Sequence, residues 1–231
     1  MTEILLKNKG TLDKYEGDSL VAFWNAPLEH ADYVVNCLTA VLEMSEFSDR
    51  LSLQFQSEGK PPFNTRMGVN NGKAIVGNIG SKDRFNYTAI GDQVNLASRL
   101  EGLNKVYGTS LLITQSTYEL SKNKFRAREL DLIRVKGKAK PVNIFELLGK
   151  CDQVLGESFE KMLVFFEKGL AAYINREWTE ACRYFDAALR AKEDDVPSRI
   201  YLGRSQVLCE CPPPDDWDGV FDFRLNRRKE D

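Results

Sequence analysis

Residues 88–101 read TAIGDQVNLASRLE, and two side chains there, Asn95 and Arg99, stand four apart. Gly91-Asp92 reads as a turn and helix start, with Asp92 placed to cap free backbone N–H groups. Val94, Leu96, Ala97, Leu100 and Leu103 then recur as an apolar stripe at helical spacing. Asn95 and Arg99 therefore lie one turn apart on one face. A side-chain amide beside a guanidinium fork suits a ligand that combines a hydroxylated ring with a phosphate. Spacing alone equally describes a solvated helix face that carries an Asn and an Arg. A second group, Lys14-Tyr-Glu-Gly-Asp18, sets a carboxylate on a hairpin turn with a lysine four residues before it. Such a carboxylate can ligate a hard cation; a turn-capping aspartate beside an exposed lysine is the plainer reading.

The elements that must hold these residues follow from pattern. A helix end over residues 1–9 stops at Gly10, and Thr11–Tyr15 and Ser19–Trp24 read as strands joined across Gly17. Apolar residues from Glu29 to Phe55 recur as in a long amphipathic helix. Asn70-Asn71-Gly72 predicts a hairpin between strands at 64–69 and 74–76. Gly77 to Arg84 reads as a flexible loop leading into the 87–101 stretch. Short strand and helix signals at 109–120 precede two strands at 125–135 and 142–148, joined by Lys136-Gly137-Lys138-Ala139-Lys140-Pro141. Alternation of this kind predicts an α+β sandwich. After Gly149 the pattern becomes all-helical, over 157–174, 178–192 and 197–209, with Gly169, Ala181, Phe185 and Ala188 near tetratricopeptide offsets. One repeat is too short to stand alone, so it is expected to pack on the main domain or on a protein partner. The final stretch, PPPDDWDG and the charged residues after it, reads as an extended tail.

Composition narrows the function. The 231 residues are 42% hydrophobic and 29% charged, with net charge −2, so no basic field invites nucleic acid. A single histidine, His30, leaves no basis for multi-histidine metal sites. Five scattered cysteines favour a reducing compartment, and no run approaches a membrane span, so the chain as given reads as cytoplasmic.

Lys14/Asp18, Asn71-Gly72, Gly77-Asn78-Ile79-Gly80, Thr88, Asn95/Arg99 and Lys136-Gly137-Lys138 follow one another in a domain-sized span. That ordered set resembles the class III nucleotidyl cyclases. The resemblance rests on GTLDKYEGDSLVAFWNAP, RMGVNNGKAIVGNIG and YTAIGDQVNLASRLEG and covers roughly Gly10 to Leu148. It implies a ferredoxin-like cyclase sandwich over residues 1–149, after which the residue pattern leaves a TPR-like helical segment over 150–211 and a tail over 212–231. The helices and tail also resemble the ends of bacterial cyclases that are membrane-anchored through upstream sequence. The implied reaction is attack of a ribose 3′-hydroxyl on the α-phosphorus of a nucleoside triphosphate, with positioning and charge stabilisation doing the catalysis. The resemblance makes Asp18 one of two metal-bridging aspartates for two Mg²⁺ (or Mn²⁺) ions. Arg99 would meet charge on the α-phosphate, Asn95 would orient the ribose, and Lys138 would hold the terminal phosphates, with Lys136 as the fallback. Family members pair lysine with Asp or Thr for adenine and Glu with Cys for guanine, so Lys14 and Thr88 imply ATP. They also work as head-to-tail dimers with each site shared between two copies, which implies a homodimer or the rest of a split cyclase.

The family's first metal aspartate, on the strand that opens the domain, has no counterpart here. Asp13 precedes the metal motif and Asp92 reads as a cap. The expectation is an N-terminally truncated cyclase lacking its first strand, with exposed sheet edges. Two functions follow: an adenylate cyclase region making cyclic AMP, in which this chain alone is weak or inactive, or a non-catalytic cyclase-fold module for dimerisation or partner binding. Guanylate cyclase is the lesser alternative.

Overall fold

The computed structural model describes residues 1–134 and 141–220 and divides them into two compact units. The first unit comprises Met1–Ala127 and Glu146–Cys151. Helix α1 (Thr2–Lys7) leads into the antiparallel hairpin of β1 (Thr11–Glu16) and β2 (Ser19–Phe23), turned at Gly17 with φ +62°. Leu5 on α1 packs with Ala40 and Met44 of the long helix α2 (Tyr33–Ser57). Leu12, Leu20, Ala22, Trp24 and Met67 close around that cluster. The hairpin's inward alternate residues are thus held on α2, and the Trp24 indole N–H donates to the Asn8 carbonyl at 3.0 Å.

Strand β3 (Met67–Val69) pairs in parallel with β6 (Leu111–Thr114), which is buried at every position. Between them come β4 (Ile75–Gly80), β5 (Phe85–Ile90) and α3 (Asp92–Tyr107); α4 (Gln115–Glu119) follows β6. Strands β7 (Phe125–Ile133) and β8 (Val142–Lys150) complete a sheet ordered β3-β6-β8-β7. β1-β2 and β4-β5 form two-stranded sheets of their own. The α+β architecture expected from sequence is present.

Two local expectations are corrected. Asn70-Asn71-Gly72 does not close a hairpin, because β3 pairs with β6 and β4 pairs with β5. The turn-forming side chains are committed elsewhere. Asn70 donates to Gln93 Oε1 at 2.8 Å and accepts from the Thr114 hydroxyl at 2.8 Å, while Asn71 accepts from the Tyr33 hydroxyl at 2.9 Å. The expected flexible loop at Gly77–Arg84 is a strand and a tight turn, closed by Ser81 N–H to Arg84 C=O at 2.8 Å.

Of the described residues, the second unit holds 128–134, 141–145 and 152–220. Helices α5 (Glu157–Ile174), α6 (Trp178–Ala191) and α7 (Val196–Glu210) enclose Phe166, Tyr173, Phe185 and Tyr201, with Phe166 and Phe185 edge-to-face at 5.6 Å. Gly169 lets α5 approach α6: an added Cβ would lie 2.8 Å from the Phe185 ring. Residues 212–220 form neither helix nor strand and dock through Arg176, which donates to the Pro213 and Pro214 carbonyls, and through Trp217 against Tyr173. No helix among the described residues is long and apolar enough to cross a membrane.

Candidate functional site

Asn95 and Arg99 owe their position to the packing of α3. Its buried residues Leu96, Leu100, Asn104 and Tyr107 form one stripe, which leaves Asn95 and Arg99 exposed on the adjoining face. The stripe lies against β3 so closely that a Cβ on Gly68 would come within 2.5 Å of the Glu101 amide nitrogen. Asn104, fully buried, donates to the Met67 carbonyl at 3.0 Å and accepts from the Thr109 hydroxyl at 2.8 Å, locking the helix to the sheet. Asp92 is not the cap expected from sequence. It is the first helical residue, and Gly91 takes the N-cap position with φ 141° and ψ 169°. That backbone conformation favours glycine and lets β5 turn directly into α3.

Thr88 sits on β5 and is buried, 6% exposed. Its hydroxyl donates to Asp13 Oδ2 at 2.7 Å, and the Ala89 N–H donates to the same oxygen at 3.3 Å. Lys14 Nζ stands 3.7 Å from the other oxygen of that carboxylate and 3.9 Å from Glu16. One buried aspartate thus joins Lys14 on the first hairpin to Thr88 on the second. The Phe23 and Tyr87 rings, 5.9 Å apart, make a further contact between the hairpins. Opposite Thr88 in the ladder is Gly77, whose absent side chain would have met nothing within 4 Å. Directly paired residues share a face of the sheet, so the space beside Thr88 is open.

Asp18 lies in the β1-β2 turn, exposed, with no side-chain hydrogen bond or ion pair among the described residues. No three His, Cys, Asp or Glu side chains among the described residues are grouped to hold a metal ion. The described donors therefore do not by themselves fit a two-ion centre. Lys136 and Lys138 lie outside the described residues. The structure thus gathers Lys14 and Thr88 and places Asn95 and Arg99 on the helix that follows Thr88, while Asp18 stands apart on its turn. Sequence reasoning missed Asp13, set aside as a metal ligand. An acid inside a strand was the one signal available, and its target lies on another hairpin.

Residues 1–149 match the family model of the adenylate and guanylate cyclase catalytic domain. The chain belongs to this family. Over 151 residues it is 39% identical to adenylate cyclase 1 of Rhizobium meliloti, covering 64% of this chain and 22% of that protein. Over 202 residues it is 34% identical to the terminal-differentiation specific adenylate cyclase of Dictyostelium discoideum, covering 84% and 9%. The chain therefore spans a quarter or less of these relatives. Among solved structures, the adenylyl cyclase CyaB from P. aeruginosa superposes with TM-score 0.59 at 34% identity, covering 67% of this chain and 79% of that one. The guanylyl cyclase Cya2 follows with TM-score 0.58 at 29% identity, covering 65% and 76%. These likenesses carry the cyclase fold to about two thirds of this chain.

Proposed function

We propose that the chain is an adenylate cyclase catalytic region that converts ATP to 3′,5′-cyclic AMP and pyrophosphate in signal transduction. The observation that carries this reading is the meeting of Lys14 and Thr88 on one carboxylate, beside open space and one turn of chain from α3. An ammonium donates to adenine N1 and a hydroxyl oxygen accepts from the 6-amino group; guanine presents the reverse pattern at those edges. That pairing, and relatives named as adenylate cyclases, favour ATP over GTP. Asn95 orients the ribose so that its 3′-oxygen lies in line with the α-phosphorus. The new O–P bond forms as the bond to the β-phosphate bridge breaks, the hydroxyl proton passes to solvent, and pyrophosphate leaves. Arg99 balances the charge that grows on the α-phosphate oxygens. Lys138, or Lys136 in its place, holds the terminal phosphates. Asp18 would offer one carboxylate to a divalent cation, which would neutralise phosphate charge and lower the pKa of the attacking hydroxyl.

A site open on one copy calls for a second. The cross-strand pair Ile75 and Ile90 is 69% and 45% exposed, and Phe85 on the same hairpin is 61% exposed. Such an apolar face suits burial against another protein surface, here a second copy in a head-to-tail homodimer. The lone Asp18 also favours a second reading, a non-catalytic cyclase-fold module that dimerises without turnover. Cyclic AMP formation from ATP with Mg²⁺ or Mn²⁺, followed by mass spectrometry across a dilution series, separates the two. Weak turnover at most is expected from this chain, with specific activity falling as sedimentation shows monomer. Arg99→Ala is expected to lose about a hundredfold in rate. Turnover that survives Arg99→Ala overturns the assignment of that residue; dimerisation with neither product nor binding of 3′-deoxy-ATP establishes the second reading.

A further inference from the structure

We propose that Asp13 is a positioning residue that sets base specificity by fixing the direction of the Thr88 hydroxyl. The inference deepens the adenylate cyclase reading and rests on it. Pairing between β1 and β2 slips between Leu12 and Lys14, so Asp13 is the extra residue of a bulge, and Leu12 and Lys14 take adjacent partners Ala22 and Val21. A bulge re-aims a side chain, and this one delivers the Asp13 carboxylate to β5. The carboxylate is 1% exposed and held on both sides. Oδ2 accepts from the Thr88 hydroxyl and the Ala89 amide; Oδ1, which has no hydrogen bond, faces the Lys14 ammonium.

A threonine hydroxyl has one proton and two lone pairs, and an ionised carboxylate only accepts. With its proton given to Asp13, Thr88 presents lone pairs to anything arriving from the open side next to Gly77. A 6-amino group can donate to them. A 6-oxo group meets lone pair against lone pair, and turning the hydroxyl to donate would strip a buried carboxylate of a charge-assisted hydrogen bond. Without Asp13 the hydroxyl is free to rotate and serves either base. The same carboxylate stands beside Lys14 and holds the donor of the pair near the same edge.

The test compares binding of 3′-deoxy-ATP and 3′-deoxy-ITP to the full chain by calorimetry. Neither nucleotide can cyclise, and hypoxanthine carries the guanine-type edge without the 2-amino group. The expected wild-type result is a preference for adenine that falls about tenfold in Asp13→Leu, the size of one hydrogen bond. Asp13→Ser, whose hydroxyl both gives and takes, is expected to lower it as well and serves if the leucine variant does not fold. Asp13→Asn is expected to keep most of the preference, since its amide oxygen can replace Oδ2 toward Thr88 and Ala89. Thr88→Val should lose as much as Asp13→Leu, and the double variant no more. A folded Asp13→Leu or Asp13→Ser protein with the wild-type preference overturns the role of Asp13 and leaves the cyclase reading standing. A wild type that binds neither nucleotide, or both equally, overturns base selection by Lys14 and Thr88 and this inference with it.

Discussion

Asp195→Ala should destabilise the second unit by about 3 kcal/mol. Asp195 is the N-cap of α7: Oδ2 accepts from the Ser198 N–H at 2.9 Å and from its hydroxyl at 2.6 Å. Its other oxygen pairs with Arg128 on β7 at 2.9 Å, both side chains being 3% exposed. Loss of a cap costs about 1 kcal/mol. Removing one member of a buried ion pair costs about 3–5 kcal/mol, because a desolvated charge stays behind. Arg128 also lies over the Phe166 ring at 4.8 Å and near Met162 Sδ at 3.2 Å, and makes further interactions, which places the total at the lower end. Urea unfolding followed by tryptophan fluorescence reads it, since Trp178 and Trp217 both lie in this unit, 6.3 Å apart. The midpoint should fall with the slope unchanged. Arg128→Met combined with Asp195→Ala should recover part of the loss, because no buried charge then remains from that pair. A loss below about 1 kcal/mol for the single variant, or no recovery in the double, would refute the reasoning from burial.

Gly68→Ala should lower the melting temperature of the first unit and weaken nucleotide binding together, because the new methyl meets the Ala97 carbonyl and the Glu101 amide, backbone atoms that cannot yield unless α3 moves. A variant that melts and binds as wild type would show that the β3–α3 approach is looser. Burial pushes the Cys37 thiol up to about 12 and, at Cys182, burial and the neighbouring Cys209 push it up to about 11, so both stay protonated at pH 8. Iodoacetamide at that pH should label the exposed Cys151, Cys209 and Cys211 first, with Cys37 reacting only after unfolding. Peptide mapping that finds Cys37 labelled at the rate of the exposed three would contradict this.

Most of what sequence made legible depends on neighbours within a turn or two. The apolar stripe of α3 forces Asn95 and Arg99 onto one face whatever the helix packs against, and Glu16-Gly17-Asp18 makes a turn because Gly17 accepts the left-handed conformation. The three helices after Gly149 follow from period alone. Asn70-Asn71-Gly72 misled because local turn chemistry was outweighed by anchors to Gln93, Thr114 and Tyr33, residues far along the chain.

Residue type and order alone singled out Asn95, Arg99, Lys14, Asp18 and Thr88 and determined the family they point to. Tertiary structure decided which of them meet: a one-residue slip in β1 carries Asp13 across to Thr88, and burial commits its charge there. It also decided that Arg128, Asp131, Asp195 and Arg204, ordinary surface types by sequence, form buried pairs between β7 and α7. The physical reason is range: periodicity encodes contacts within a helix turn or a strand pleat, whereas the partner of a buried charge depends on which distant segments pack together.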